Sequence, residues 1–185
     1  MIDFLTKFDY NVYELINSKW TCGFLDRFMA IVTSQDSGII ILLGILLLFA
    51  IFGGKNGRIS VLLGLLAFAI IDPLGHYVLK PLIARARPCH LEIGRLLVDC
   101  GSGYAMPSLH AANSFGVMAV FVLRFGYKAL PLYLLSLAVA YSRIYVGVHW
   151  PFDVLAGTIY GLLVAFTINS IGNRLVFKHV EKAKG

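Results

Sequence analysis

Five stretches of this chain are long, apolar and almost free of charge, and a water-soluble fold would have to bury all of them at once. They run from Ser37 to Gly54, Ile59 to Leu79, Ser108 to Leu123, Ala129 to Ser142 and Val154 to Asn173. A helix needs about 20 mostly apolar residues to cross the hydrocarbon core of a bilayer, and each stretch meets or approaches that length. Composition points the same way, with 58% hydrophobic residues against 14% charged ones. The sequence therefore predicts an all-α integral membrane protein, a bundle of about five transmembrane helices forming a single domain over residues 1–185. The third and fourth stretches reach spanning length only by including polar residues at one end. Polar groups inside a span are costly and usually functional.

The segments flanking the expected bundle (37–173) read differently. In residues 1–36, Leu5, Phe8, Val12, Leu15 and Ile16 recur at helical spacing opposite Lys7, Asp9 and Glu14, and Phe24, Leu25, Phe28, Met29 and Val32 repeat the pattern. This predicts one or two interfacial helices. No basic region followed by an apolar core opens the chain, so no cleavable signal peptide is expected and the first span serves as the insertion signal. The net charge of +6 does not imply nucleic acid. Lys55, Arg58, Arg124 and Lys128, with Arg174, Lys178, Lys182 and Lys184 of the basic tail 174–185, fall on one side of a five-span chain. Such an excess marks the cytoplasmic side and puts the carboxyl terminus there. Lys7, Lys19, Arg27, Arg85 and Arg95 fall on the outer side.

With that topology, span parity brings the intruding polar residues to one face. Asp72, His76 and Lys80 lie at the outer end of span two, Ser108 and His110 at the entrance to span three, Ser142 and Arg143 at the exit of span four, and His149 and Asp153 at the entrance to span five. Taken singly, Lys80 would be a lysine snorkelling to the interface, and Asp72 with His76, one turn apart, a structural ion pair or hydrogen bond. The set says more. Lys80, Arg87 and Arg143 supply cationic donors, and arginine forks match phosphate oxygens. Gly101, Gly103 and Pro107 precede a helix whose first turn holds Ser108, Leu109 and His110, so backbone N–H groups there can face the same anion. His149 and Asp153, four residues apart, can pair so that the carboxylate fixes the imidazole tautomer and frees the other nitrogen for attack. His110 remains as a separate acid.

These residues resemble the signature of the type 2 phosphatidic acid phosphatase superfamily, which includes bacterial membrane lipid phosphatases and soluble vanadium haloperoxidases. Lys80, six residues, then Arg87-Pro88 match its first part; Pro107-Ser108-Leu109-His110 match the second; Ser142-Arg143, five residues, His149, three residues and Asp153 match the third. The resemblance implies that His149 is the nucleophile, Asp153 its orienting partner and His110 the acid, with Lys80, Arg87, Ser108, Arg143 and the Leu109 N–H binding the phosphoryl group. It assigns Ser142 no role here. Leu109 departs from the pattern, since the family usually has glycine there; a leucine in a first helical turn keeps its N–H available.

No metal or other cofactor is expected, because the loops lack a carboxylate cluster suited to a magnesium pair. Without a large extramembrane domain, the expected substrate is a membrane lipid phosphate reached from the bilayer, with no obligate protein partner. The stretch from Cys100 to Phe115 is similar to bacterial lipid A phosphatases, which ranks lipid A ahead of phosphatidylglycerophosphate and undecaprenyl pyrophosphate. From another class, a small transporter of an anionic solute would spread its polar groups over several depths, whereas here they crowd at one face. The expected setting is the bacterial inner membrane, with the site facing the periplasm. Cys89 and Cys100 both lie in the outer loop, predicting a disulfide on the oxidising side, with Cys22 free.

Overall fold

In the computed structural model, which describes residues 2–182, the chain is built from helices joined by short turns and one long loop over residues 84–108, labelled the outer loop after the topology expected from the sequence. The amino-terminal part forms α1 (Ile2–Glu14), continued by a wider turn over Leu15–Lys19, and α2 (Gly23–Thr33). Ser34 then opens α3 (Gln35–Phe52), its hydroxyl accepting from the Ser37 N–H at 3.2 Å and capping the helix. A glycine turn leads into α4, which runs helically over Gly54–Ile83. After the outer loop come α5 (Leu109–Phe125), α6 (Leu132–Tyr145) and α7 (Pro151–Lys182).

Four helical segments among the described residues are long and apolar enough to span a bilayer: Gln35–Phe52, Gly54–Ile83, Leu109–Ala129 and Pro151–Arg174. The fifth expected span corresponds to α6, which has 14 residues. Large aliphatic side chains such as Ile40, Leu43, Leu47, Leu62, Leu66 and Leu163 face outward. That is the surface a lipid-solvated bundle presents, with backbone polar groups satisfied inside each helix. Of the basic tail expected at 174–185, the backbone stays helical to Lys182, and Lys184 lies outside the described residues.

The bundle is organised around α5, whose Ala111, Ala112, Phe115, Val117, Ala119, Val120 and Phe121 are buried. Its closest neighbour is α7, and small residues let the two backbones meet. A β-carbon on Gly161 would stand 2.1 Å from the Ala112 carbonyl oxygen, and one on Gly157 would stand 2.3 Å from that of Ser108. Helix pairs in lipid gain little from the hydrophobic effect and rely on such close packing. Gly161→Ala is therefore expected to cost about 1–3 kcal/mol through overpacking against backbone that cannot swing away, lowering the unfolding midpoint in detergent by roughly 2–10 °C. A thermal melt coincident with that of the unaltered protein would count against so tight a crossing.

The amino-terminal helices pack differently from the sequence pattern. Leu5 and Phe8, on the apolar face expected to meet the membrane interface, are exposed, whereas Asp9, expected on the polar face, is buried with Tyr13, Ile16 and Asn17. Polar partners explain the reversal. Tyr13 donates to the Ile93 carbonyl at 2.9 Å, and Asn17 donates to the Arg95 and Tyr145 carbonyls at 2.9 and 2.8 Å while accepting from the Arg95 N–H at 2.7 Å. The helix is clamped to the outer loop and to the end of α6 by hydrogen bonds, leaving its aromatic side outward.

Candidate active site

The predicted site residues sit at four chain ends on one face. Lys80 is buried in the last turn of α4, just after Pro73 and a widened turn over Gly75–Leu79. Proline removes a donor from the helical ladder, and the wider turn changes which side chains stack. This corrects the expected Asp72–His76 pair: Asp72 accepts instead from Asn113 Nδ2 on α5 at 2.9 Å, and His76 is exposed beside Tyr77. Lys80 Nζ donates to the Tyr104 carbonyl. Arg87 lies in the outer loop, where Nε donates to the Gly103 carbonyl at 2.7 Å and Nη1 to that of Cys100 at 2.9 Å.

That loop is stapled as expected. Cys89 and Cys100 are disulfide-bonded with their Cα atoms 6.1 Å apart, and Cys22 is free and exposed. Cys89, His90 and Cys100 are the one group with metal-ligand spacing among the described residues, and the disulfide consumes both sulfurs. The loop's far end delivers Ser108 to the start of α5, where its N–H donates to the Asp153 carbonyl at 2.9 Å. Leu109 is accommodated by a glycine on the facing helix: a β-carbon on Gly75 would fall 2.2 Å from Leu109 Cδ2. The leucine side chain therefore fills space that the α4 glycine leaves open.

Arg143 is buried at the end of α6 and donates through Nη1 to Thr33 Oγ1 at the end of α2. Ser142 Oγ is spent on the Val139 carbonyl at 2.7 Å, a local bond within α6. His149, in the turn between α6 and α7, is 2% exposed, and its Nδ1 stands 3.5 Å from Asp153 Oδ2 without a hydrogen bond. Burial, reinforced by the charges of Arg143, Arg87 and Lys80, holds the His149 imidazole well below its ordinary pKa and therefore neutral. The same three cations act on His110, as does His149, so five of the predicted residues share one electrostatic neighbourhood. Ser108 Oγ, Arg143 Nε and His149 Nδ1 are buried without a partner. Orphaned polar atoms are costly, and three of them in one site mark a place built to receive a polar group.

Three participants went unassigned in the sequence. Arg85 Nη1 donates to Asp153 Oδ1 at 2.7 Å, Arg85 Nη2 donates to Asp9 Oδ2, and Thr33 holds Arg143. Arg85 was legible only as one more outer-loop charge. Asp9 and Thr33, far away in the chain, carry no local signal at all.

Residues 59–176 match the PAP2 superfamily, and the chain belongs to it. It is thereby a membrane phosphatase by class. Among curated proteins it is 31% identical over 170 residues to lipid A 4'-phosphatase of Bacteroides thetaiotaomicron, covering 87% of this chain and 75% of that one. It is also 31% identical over 130 residues to undecaprenyl-diphosphatase of Sulfolobus acidocaldarius, covering 69% of this chain and 62% of the relative. Among solved structures it resembles Aquifex aeolicus LpxE, with a TM-score of 0.66 and 26% identity over 85% of this chain and 92% of that one. The fold is shared with the transmembrane PAP2 type phosphatidylglycerolphosphate phosphatase from Bacillus subtilis, with a TM-score of 0.71 and 24% identity over 92% and 87% of the two chains.

Proposed function

We propose that this chain hydrolyses a phosphate monoester of lipid A, without a metal ion, through a phosphohistidine at His149. The observation that carries the reading is the convergence of three cations and the orphaned Ser108 Oγ and Arg143 Nε on a neutral buried imidazole. In the first step a His149 ring nitrogen bonds to phosphorus in line with the departing ester oxygen. The P–O bond breaks, and His110 delivers a proton to the lipid alkoxide. Lys80, Arg87, Arg143, Ser108 and the Leu109 N–H hold the equatorial oxygens, where charge is spread in the transition state. Asp153 orients His149. Water then attacks phosphorus, giving a proton to His110 as base, and the P–N bond breaks, releasing inorganic phosphate and restoring the free imidazole.

Similarity to lipid A 4'-phosphatases across most of the chain supports lipid A as substrate. The positive charge on Lys55, Arg58, Arg124 and Lys128 supports a cytoplasmic carboxyl terminus and a site facing the periplasm of the bacterial inner membrane. The outward aromatic side of α1 and α2, with Phe4, Phe8, Phe24 and Phe28 exposed, supports their lying at the interface. The test offers purified protein lipid A, phosphatidylglycerophosphate, phosphatidic acid and undecaprenyl pyrophosphate under identical conditions, with excess chelator present. Highest kcat/KM on lipid A is expected. A higher value on undecaprenyl pyrophosphate or phosphatidylglycerophosphate would reassign the substrate, and complete loss of activity restored by a divalent ion would overturn the metal-free mechanism.

A further inference from the structure

We propose that Arg85 and Asp9 are positioning residues of the catalytic centre, Arg85 holding the Asp153 carboxylate beside His149 and Asp9 holding Arg85. The inference rests on the reading of His149 as nucleophile and Asp153 as its orienting partner.

Asp9 and Asp153 are 1% and 0% exposed. Buried carboxylates need a partner, and these two, from opposite ends of the chain, share one guanidinium. Arg85 Nη1 donates to Asp153 Oδ1 at 2.7 Å and Nη2 donates to Asp9 Oδ2. Because the guanidinium is planar with a fixed fork of donors, setting one arm sets the other. The remaining oxygens are also committed. Asp153 Oδ2 accepts from the Trp150 N–H at 2.8 Å and faces His149 Nδ1, while Asp9 Oδ1 accepts from the Phe152 N–H at 2.8 Å. Both carboxylates therefore grip the first turn of α7, and neither can rotate without losing a bond.

Arg85 is held from other sides too. Its guanidinium lies over the Trp150 ring, 5.5 Å from the centroid, and Trp150 Nε1 donates to the Ala86 carbonyl at 3.0 Å. Its own carbonyl accepts from the Ala105 N–H at 2.8 Å, joining the two arms of the outer loop. The chain of contacts runs from α1 through the loop to the imidazole: Asp9, Arg85, Asp153, His149. The Asp9 end lies outside residues 59–176, the part matched to the superfamily. The first helix thus reaches into the site through one guanidinium, and a shift at either end is transmitted to the nucleophile.

Loss of this support should appear as lost alignment, not lost phosphate binding, because Lys80, Arg87 and Arg143 are untouched. Misplacing a reacting group by about 1 Å costs on the order of a hundredfold in rate. The experiment measures kcat and KM in detergent for Arg85→Ala, Arg85→Lys, Asp9→Asn and the Asp9→Asn/Arg85→Ala double variant, with His149→Ala alongside. Arg85→Ala is expected to lose about a hundredfold in kcat with KM changed less than about threefold, Arg85→Lys to recover part of that loss, and Asp9→Asn to lose about tenfold. Asp9→Asn keeps the size of the side chain and an acceptor for Phe152, so it carries the test if Arg85→Ala fails to fold. In the Arg85→Ala background Asp9→Asn should cost almost nothing further, because Asp9 acts through Arg85. Equal Asp9→Asn losses in both backgrounds, or losses confined to KM, would make these residues merely structural and overturn the inference. Inactive His149→Ala beside unaltered Arg85→Ala and Asp9→Asn would overturn it alone, whereas turnover by His149→Ala would overturn the nucleophile reading beneath it.

Discussion

Replacing His149 with alanine should abolish phosphate release from every ester, lipid or aryl, by a factor on the order of a million, the scale on which removal of a catalytic nucleophile is felt. The expectation follows from the absence of a substitute. His110, the other imidazole in the site, is assigned to the leaving-group side, and water without an activated nucleophile must cross the whole barrier in one step. The clamp survives the change, since Lys80 and Arg87 make their bonds to the outer loop and Arg143 makes its bond to Thr33 independently of the imidazole. Substrate binding should accordingly persist while turnover vanishes, and vanadate should still protect the variant against thermal unfolding. Rapid mixing with radiolabelled substrate, followed by alkaline quenching that preserves phosphohistidine, should label the unaltered protein and leave His149→Ala unlabelled. A labelled His149→Ala would move the covalent bond to another residue.

Much of this architecture was legible because a bilayer imposes simple rules. Span length marked the helices, and the spacing of Lys80-Arg87, Ser108-His110 and Arg143-His149-Asp153 marked residues that the fold brings to one site. What escaped were interactions that invert local pattern. Asp9 read as the polar face of an amphipathic helix, yet it is buried because a guanidinium from 76 residues away neutralises it. Asp72 and His76 were expected to form an ion pair or hydrogen bond one turn apart, but Pro73 and the widened turn after it intervene, and Asp72 accepts from Asn113. Thr33 is one threonine among several until α2 is docked against α6. In each case the deciding partner is distant in sequence, and neither propensity nor periodicity carries information about it. The tight α5–α7 crossing was present as the spacing of Gly157, Gly161 and Ala165, a pattern that becomes meaningful only once the facing Ser108 and Ala112 are known.

His110→Ala should separate substrates that His149→Ala treats alike. As a general acid, His110 matters in proportion to how poorly the departing oxygen carries negative charge, and such acids typically contribute on the order of a hundred- to ten-thousand-fold. A lipid or sugar alkoxide is a poor leaving group and needs the proton as the P–O bond breaks; nitrophenolate leaves almost unaided. The position suits the role, because His110 lies in the first turn of α5 beside Ser108. Loss of His110 should therefore slow release of the alcohol from the lipid by about a hundred- to ten-thousand-fold in a single turnover, while release of nitrophenolate slows far less. Single-turnover measurement is needed because His110 is also expected to activate water in the second step, so steady-state rates on both substrates would fall together once hydrolysis of the phosphoenzyme became limiting. The two functions also predict a reversal in time. With the aryl ester, His110→Ala should give a rapid burst of nitrophenolate equal to the enzyme concentration and then an abnormally slow steady state, because the acid is dispensable in the first step and the base is missing in the second. Equal slowing of both esters in the first step, with no burst, would place His110 among the phosphate-binding residues and leave the leaving group without an acid.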